Sequence, residues 1–132
     1  MTKLFPAISV LRGLKNFRIE IEISALCQNQ PVINPLSISR GIGEILSRSG
    51  FATVVDAPQA VLHCHVEITE VTAWGFAYHV DLSVMTALPG FPELFIVWHN
   101  FTYGSTDASA LRRTVEAAAV GLAQPLAGCL KR

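Results

Sequence analysis

The chain has 132 residues, of which 51% are hydrophobic and 15% are charged. This length suits one domain with a substantial core. Ten basic side chains balance ten acidic ones, so the composition gives no electrostatic case for binding nucleic acid or an anionic membrane surface. The charged fraction is below the usual ~25%, and the mean hydropathy is +0.42. We therefore expect self-association or an apolar surface that contacts a protein partner.

Residues 1–16 are predicted to be an irregular lead-in to a single α+β domain over residues 17–132. Lys3 and the apolar residues after it have the character of a secretory signal, but Pro6 interrupts the run and Arg12 ends it. No lipid-acceptor cysteine follows, and no run reaches the ~20 apolar residues of a membrane-spanning helix. The expected location is periplasmic or outer-membrane-associated if a signal has been removed, and otherwise cytoplasmic.

The first predicted strand begins at Phe17, where apolar side chains alternate with polar ones as far as Ser24. Asn34 and Pro35 then form a favourable helix start, because the Asn oxygen can cap the first turn and Pro has a preset φ. Gly50 is the expected helix stop. A short strand over residues 51–56 should follow.

Residues 61–103 contain three strand-like runs. The Val61 and Phe76 runs alternate cleanly, and a three-residue connection over 73–75, with Gly75 in a left-handed conformation, would join them as a hairpin. This register places Glu67 opposite Asp81. The run over residues 93–103 is apolar on both faces, which predicts a strand covered on both sides.

A final helix is expected after a cap at Thr106 or Asp107, with a kink near Pro125. Its apolar stripe consists of Leu111, Val115, Ala118, Leu122, Leu126 and Cys129. The complete pattern predicts an α+β, β-α-β-β-β-α two-layer sandwich, with two helices on one face of a mainly antiparallel four- or five-stranded sheet.

Three cysteines, Cys27, Cys64 and Cys129, form no C-x-x-C pair and have no zinc-like spacing. Cys64 lies on the apolar face of a predicted strand and Cys129 on the apolar stripe of the last helix. We therefore expect both to act as small core hydrophobes. Neither a disulfide framework nor a cofactor is predicted.

Five polar residues form the weak candidates for a metal site. His63, His65 and Glu67 share one face of their strand, and the hairpin brings His79 and Asp81 to the same face. Imidazoles and carboxylates at cross-strand distances of ~4.5–5.5 Å suit a zinc-type ion. The same residues also suit the solvent-facing side of a sheet whose other side is covered by helices, and this interpretation requires no metal.

Gly41 and Gly43 form a G-x-G inside the predicted helix. A phosphate-binding loop needs a longer glycine segment between a strand and a helix, so close helix packing is the better explanation. Candidate partner-binding residues are instead the aromatics Trp74, Phe76, Phe91 and Trp98, most of which lie at or beside loops. Packing beneath those loops is the alternative.

Three segments carry a resemblance to a known family: residues 45–51, 56–66 and 117–132. Residues 45–51 resemble a first helix that runs into a short strand. Residues 56–66 resemble a segment in which an Asp or Ala is followed by a long strand. Residues 117–132 resemble an alanine-rich terminal helix that ends in a basic residue. The pattern is similar to the small envelope lipoproteins of Gram-negative bacteria, nearest to the lipopolysaccharide-assembly type, and more weakly to the N-terminal domain of the Tol system's periplasmic propeller protein. The resemblance implies a non-enzymatic assembly or binding role.

Two functional hypotheses remain open from the sequence. The first is a non-enzymatic binding or assembly protein of the bacterial cell envelope that acts through its sheet and loop aromatics. The alternative is a cytosolic oligomeric domain that binds a small ligand or metal on the face of His63, His65 and Glu67. An enzyme is disfavoured because no activated nucleophile or acid–base pair can be assembled from the sequence.

Overall fold

The structure, a computed structural model, describes residues 7–26, 33–72, 75–88 and 90–131. Its elements in chain order are α1 (Ala7–Arg12), β1 (Asn16–Leu26), α2 (Pro35–Arg48), β2 (Ala52–Thr53), β3 (Ala60–Thr72), β4 (Gly75–Ala87), β5 (Leu94–Asp107), α3 (Leu111–Gly121) and α4 (Ala123–Lys131).

The five strands form one mixed sheet in the order β2-β1-β3-β4-β5. β1 runs parallel to β2 and β3, whereas β3, β4 and β5 are successively antiparallel. Alternation along β3 buries Leu62, Cys64, Val66 and Ile68. These side chains form one hydrophobic core with the buried side chains of the helices. The predicted α+β two-layer sandwich is confirmed.

The lead-in contains a helix that the sequence interpretation missed. Within residues 1–16, which were predicted to be irregular, α1 spans Ala7–Arg12. Leu11 and Leu14 are buried in the main core. A helix this short has little stability of its own, so it is held by the apolar contacts that it makes with the folded domain.

The boundaries of α2 agree with the prediction. The Asn34 side chain accepts a hydrogen bond from the Leu36 backbone N–H at 2.9 Å, and Pro35 is the first helical residue. Gly50 has a φ of +89°, a conformation that glycine adopts without steric cost. Gly41 packs closely against α3, because a Cβ added there would lie 2.5 Å from Val120 Cγ2.

The predicted final helix is two helices, broken at Leu122 between α3 and α4. Pro125 lies in the first turn of α4, where its missing N–H needs no partner. The expected cap is also displaced, because Asp107 ends β5 and its carboxylate accepts a hydrogen bond from the Ala110 N–H at 2.9 Å. Cys129 is exposed, so its assignment to the core was wrong, whereas Cys64 is buried as predicted.

The hairpin register differs from the prediction by two residues. Thr72 pairs with Gly75, so the connection is shorter than expected, and the register shifts between Glu70 and Thr72. Gly75 is the first residue of β4 rather than a left-handed turn residue. As a result, Glu67 pairs with His79 and His65 pairs with Asp81. The expected like-charge pair of Glu67 and Asp81 does not form.

Candidate interaction surface

The polar side chains of the sheet lie on the face opposite the helices, which we call the open face. All four histidines of the chain lie there, at positions 63, 65, 79 and 99, because each alternates with a core-facing neighbour. Four carboxylates accompany them, from Glu20, Glu22, Glu67 and Asp81. The arginine on the same face, Arg18, forms an ion pair with Glu20 at 3.0 Å.

Glu22 of β1 lies between two histidines of β3. Its carboxylate oxygens are 3.2 Å from His65 Nε2 and 3.9 Å from His63 Nε2. His65 Nε2 is also 3.1 Å from the Ser24 hydroxyl. Sequence reasoning missed Glu22, because it joins this cluster only through the parallel pairing of β1 with β3.

The five candidate metal residues thus share one face, where the close contacts each join one imidazole to one carboxylate. His79 Nδ1 lies 3.8 Å from Asp81, and His65 Nδ1 lies 3.8 Å from Glu67. Within residues 7–26, 33–72, 75–88 and 90–131, no group of three or more His, Cys, Asp or Glu side chains is placed to hold a metal ion.

Phe101 of β5 lies between two imidazole rings. His79 stacks on it with ring centres 5.8 Å apart, and His99 stacks with ring centres 6.0 Å apart. This three-ring stack stands beside the carboxylate of Asp81, which is opposite Phe101 on β4.

A row of large apolar side chains follows β5 on the open face, and we call it the β5 strip. It comprises Leu94, Ile96, Phe101 and Tyr103, which are 53%, 63%, 52% and 73% exposed. The prediction that this strand is covered on both sides is therefore wrong for the single chain. Trp98 and Ile96 lie on opposite faces of β5, because Val97 forms a bulge that turns Trp98 towards the core.

The four aromatics predicted to bind a partner have different surroundings. Phe76 is 8% exposed and belongs to the core, and Trp98 is half-buried against that core. Phe91 is 54% exposed and packs edge-on against Phe95, with ring centres 5.1 Å apart. Trp74 lies outside the described residues. Among the described members of this set, Phe91 is the one that lies on the surface, where it contacts Phe95 of β5.

A separate groove of about 470 Å³ lies between α2 and the β1–β2 edge of the sheet, and its lining includes Arg18, Arg40 and Ser47. It contains none of the sequence-predicted residues.

The buried thiol of Cys64 also offers no chemistry at neutral pH. Burial raises its pKa to about 12, and the nearby charge of Asp81 adds to this effect.

No protein-family model matches the sequence, and no curated protein matches it. The fold is similar to the PelC dodecamer from Paraburkholderia phytofirmans, with 15% identity and a TM-score of 0.55, covering 92% of this chain and 91% of that chain. It is also similar to the hypothetical protein CT253 from Chlamydia trachomatis, with 8% identity and a TM-score of 0.52, covering 86% and 98%.

A minor lipoprotein from Acinetobacter baumannii is similar at 11% identity and a TM-score of 0.46, covering 89% of this chain and 91% of that chain. Similarity at that level is too weak to support a functional comparison. At identities this low, the matches concern the fold alone. Across the described ranges, no helix is long and apolar enough to cross a membrane.

Proposed function

We propose that this protein is a non-enzymatic assembly protein of the bacterial cell envelope that associates with further copies of itself. The observation that carries the proposal is the β5 strip, in which four large apolar side chains are each more than half exposed in one row. Burying such a side chain stabilises a complex by ~1.5–3 kcal/mol. An apolar row of this length on a weakly charged chain is typical of an interface.

Two further observations support the proposal. The PelC structure, whose fold covers 92% of this chain, is a dodecamer, which supports self-association as a property of this fold. The sequence resemblance to envelope lipoproteins supports the location. The titratable side chains of the open face also favour binding over catalysis, because these imidazoles and carboxylates lie on an open sheet rather than inside an enclosed cavity.

Light scattering on the purified chain tests the self-association. We expect a mass that is a multiple of the 14.3 kDa monomer at micromolar concentration. Phe101→Lys should reduce that mass because it places a charge in the β5 strip. Leu36→Lys is the matched control, because Leu36 is 53% exposed on α2 and Phe101 is 52% exposed on β5. A monomeric wild-type protein, or equal effects of the two variants, would refute this role of the strip.

The contribution of the loop aromatics is tested by Phe91→Lys. If Phe91 extends the interface, this variant should weaken association to a similar degree as Phe101→Lys while its circular dichroism spectrum stays unchanged. If Phe91→Lys associates as strongly as the wild-type protein, the interface is limited to the strand.

The location is tested by cell fractionation of the protein expressed from its own gene with the native upstream sequence. Recovery with the envelope fractions is expected. Recovery in the cytosolic fraction, together with an intact oligomer, would leave the self-association standing and remove the envelope assignment.

A further inference from the structure

The outer edge of β5 is a long strand edge with little protection. β5 is the last strand of the sheet and has 14 residues, whereas the opposite edge strand, β2, has two. Edge strands usually avoid pairing with other chains through short length, inward or flanking charges, or proline. From Leu94 to Thr106, β5 contains no Asp, Glu, Lys, Arg or Pro. Among the described residues, no strand lies on its outer side.

One protective feature is present, and it defines the part of the edge that can pair. The bulge at Val97 interrupts the ladder, and from Trp98 to Thr106 the pairing with β4 is regular. This nine-residue stretch is ~30 Å long. Its middle residue is Thr102, and the exposed rings of Phe101 and Tyr103 lie on either side of that residue.

We infer that a second copy of this chain adds to the sheet at β5, antiparallel to the first, with Thr102 lying opposite Thr102 of the second copy. The backbone edge is then self-complementary, as a two-fold interface requires. In this register Phe101 of each copy lies opposite Tyr103 of the other. Aromatic cross-strand pairs of this kind stabilise antiparallel strands. The inference rests on the proposed self-association and specifies its geometry.

The distribution of charge favours pairing at the β5 edge over packing of two open faces against each other, which would also cover the β5 strip. If two copies packed with their open faces together, four carboxylates of each copy would approach four of the other. The guanidinium of Arg18 is already held by Glu20 at 3.0 Å. Pairing along Trp98–Thr106 brings no carboxylate against another, because that stretch contains none. Edge pairing therefore covers the rings of Phe101 and Tyr103 with less repulsion between carboxylates than face-to-face packing does.

Disulfide trapping tests the register. In a Cys27→Ser/Cys129→Ser background, Thr102→Cys should crosslink two copies, because opposing residues of antiparallel strands have Cα atoms ~4.5–5.5 Å apart, within the range that a disulfide spans. Asn100→Cys is the matched control on the same face of the same strand. In this register its counterpart lies ~13 Å away along the strand, which is too far for a disulfide. Leu36→Cys on α2 measures random collision.

The expected result is a Thr102→Cys crosslink that forms about 100-fold or more faster than the Leu36→Cys crosslink, since an assembled pair has a millimolar effective concentration. Asn100→Cys should match the collision rate. If the wild-type chain is oligomeric but Thr102→Cys reacts no faster than Leu36→Cys or Asn100→Cys, the edge geometry is wrong and the proposed self-association stands. If the wild-type chain is a monomer throughout, both are wrong. If a cysteine variant loses its native circular dichroism spectrum, the test is made instead by mixing a His99→Cys chain with a Ser105→Cys chain. In the same register, these two positions face each other across the two copies.

Discussion

The close contact between α2 and α3 gives a prediction whose size follows from two opposing effects. Gly41→Ala should stabilise the isolated helix by about 1 kcal/mol, because glycine loses more backbone entropy than alanine. The new methyl group would lie 2.5 Å from Val120 Cγ2, however, and overpacking costs about 1–3 kcal/mol. We expect a net loss of up to about 2 kcal/mol in the free energy of unfolding.

Gly43→Ala on the same helix is the control. A methyl group there would meet Thr53 Cγ2 at 3.7 Å, an ordinary contact, so this variant should be stabilised by up to about 1 kcal/mol. Urea denaturation of both variants, with Gly41→Ala/Val120→Ala to relieve the clash, measures the two effects. Two results would show that the contact between α2 and α3 is less close than described. One is a Gly41→Ala variant as stable as Gly43→Ala, and the other is a double variant in which Val120→Ala does not restore the stability lost through Gly41→Ala.

Three further predictions concern the core, the thiols and the end of β5. Leu126→Ala should cost about 2–5 kcal/mol in thermal or urea unfolding because its side chain is fully buried, whereas Gln124→Ala on the exposed side of α4 should change stability by less than about 0.5 kcal/mol. In a Cys27→Ser background, Ellman's reagent should react quickly with exposed Cys129 and with Cys64 only after unfolding; a fast reaction of both thiols would contradict the raised pKa of Cys64. The pKa of Asp107 is lowered from 3.8, chiefly by its hydrogen bonds to the Ser109 hydroxyl and the Ala110 N–H. The ionised carboxylate therefore contributes to stability above pH 3.8, and this contribution is lost as the pH falls through the lowered pKa. The difference in melting temperature between wild type and Asp107→Asn should therefore shrink on acidification, and a difference that is constant with pH would show that the charge is not involved.

Local signals predicted the parts of the fold that depend on a few neighbouring residues. The Asn34 cap, Pro35 and the Gly50 stop fix α2 because each acts on its own turn of backbone. The alternation along β3 and β4 identified the core face, since side-chain period alone determines it. The histidine-bearing face was predicted for the same reason.

The remaining features depend on long-range pairing that no local pattern encodes. The spacing of the core residues predicted a three-residue connection, but the bulge between Glu70 and Thr72 allows a shorter one and sets the register that pairs Glu67 with His79. The approach of Glu22 to His65 requires β1 and β3 to be neighbours across the α2 crossover. The bulge at Val97, which places Trp98 and Ile96 on opposite faces, has no glycine or proline to mark it.

The carboxylates of the open face and the arginines of the helical face give the folded domain an electric dipole. At neutral pH the open face carries an excess of carboxylates, whereas the exposed surfaces of α2 and α3 carry Arg40, Arg48, Arg112 and Arg113 against Glu44 and Glu116. A chain with no net charge therefore has two sides of opposite sign and takes a preferred orientation near any charged surface.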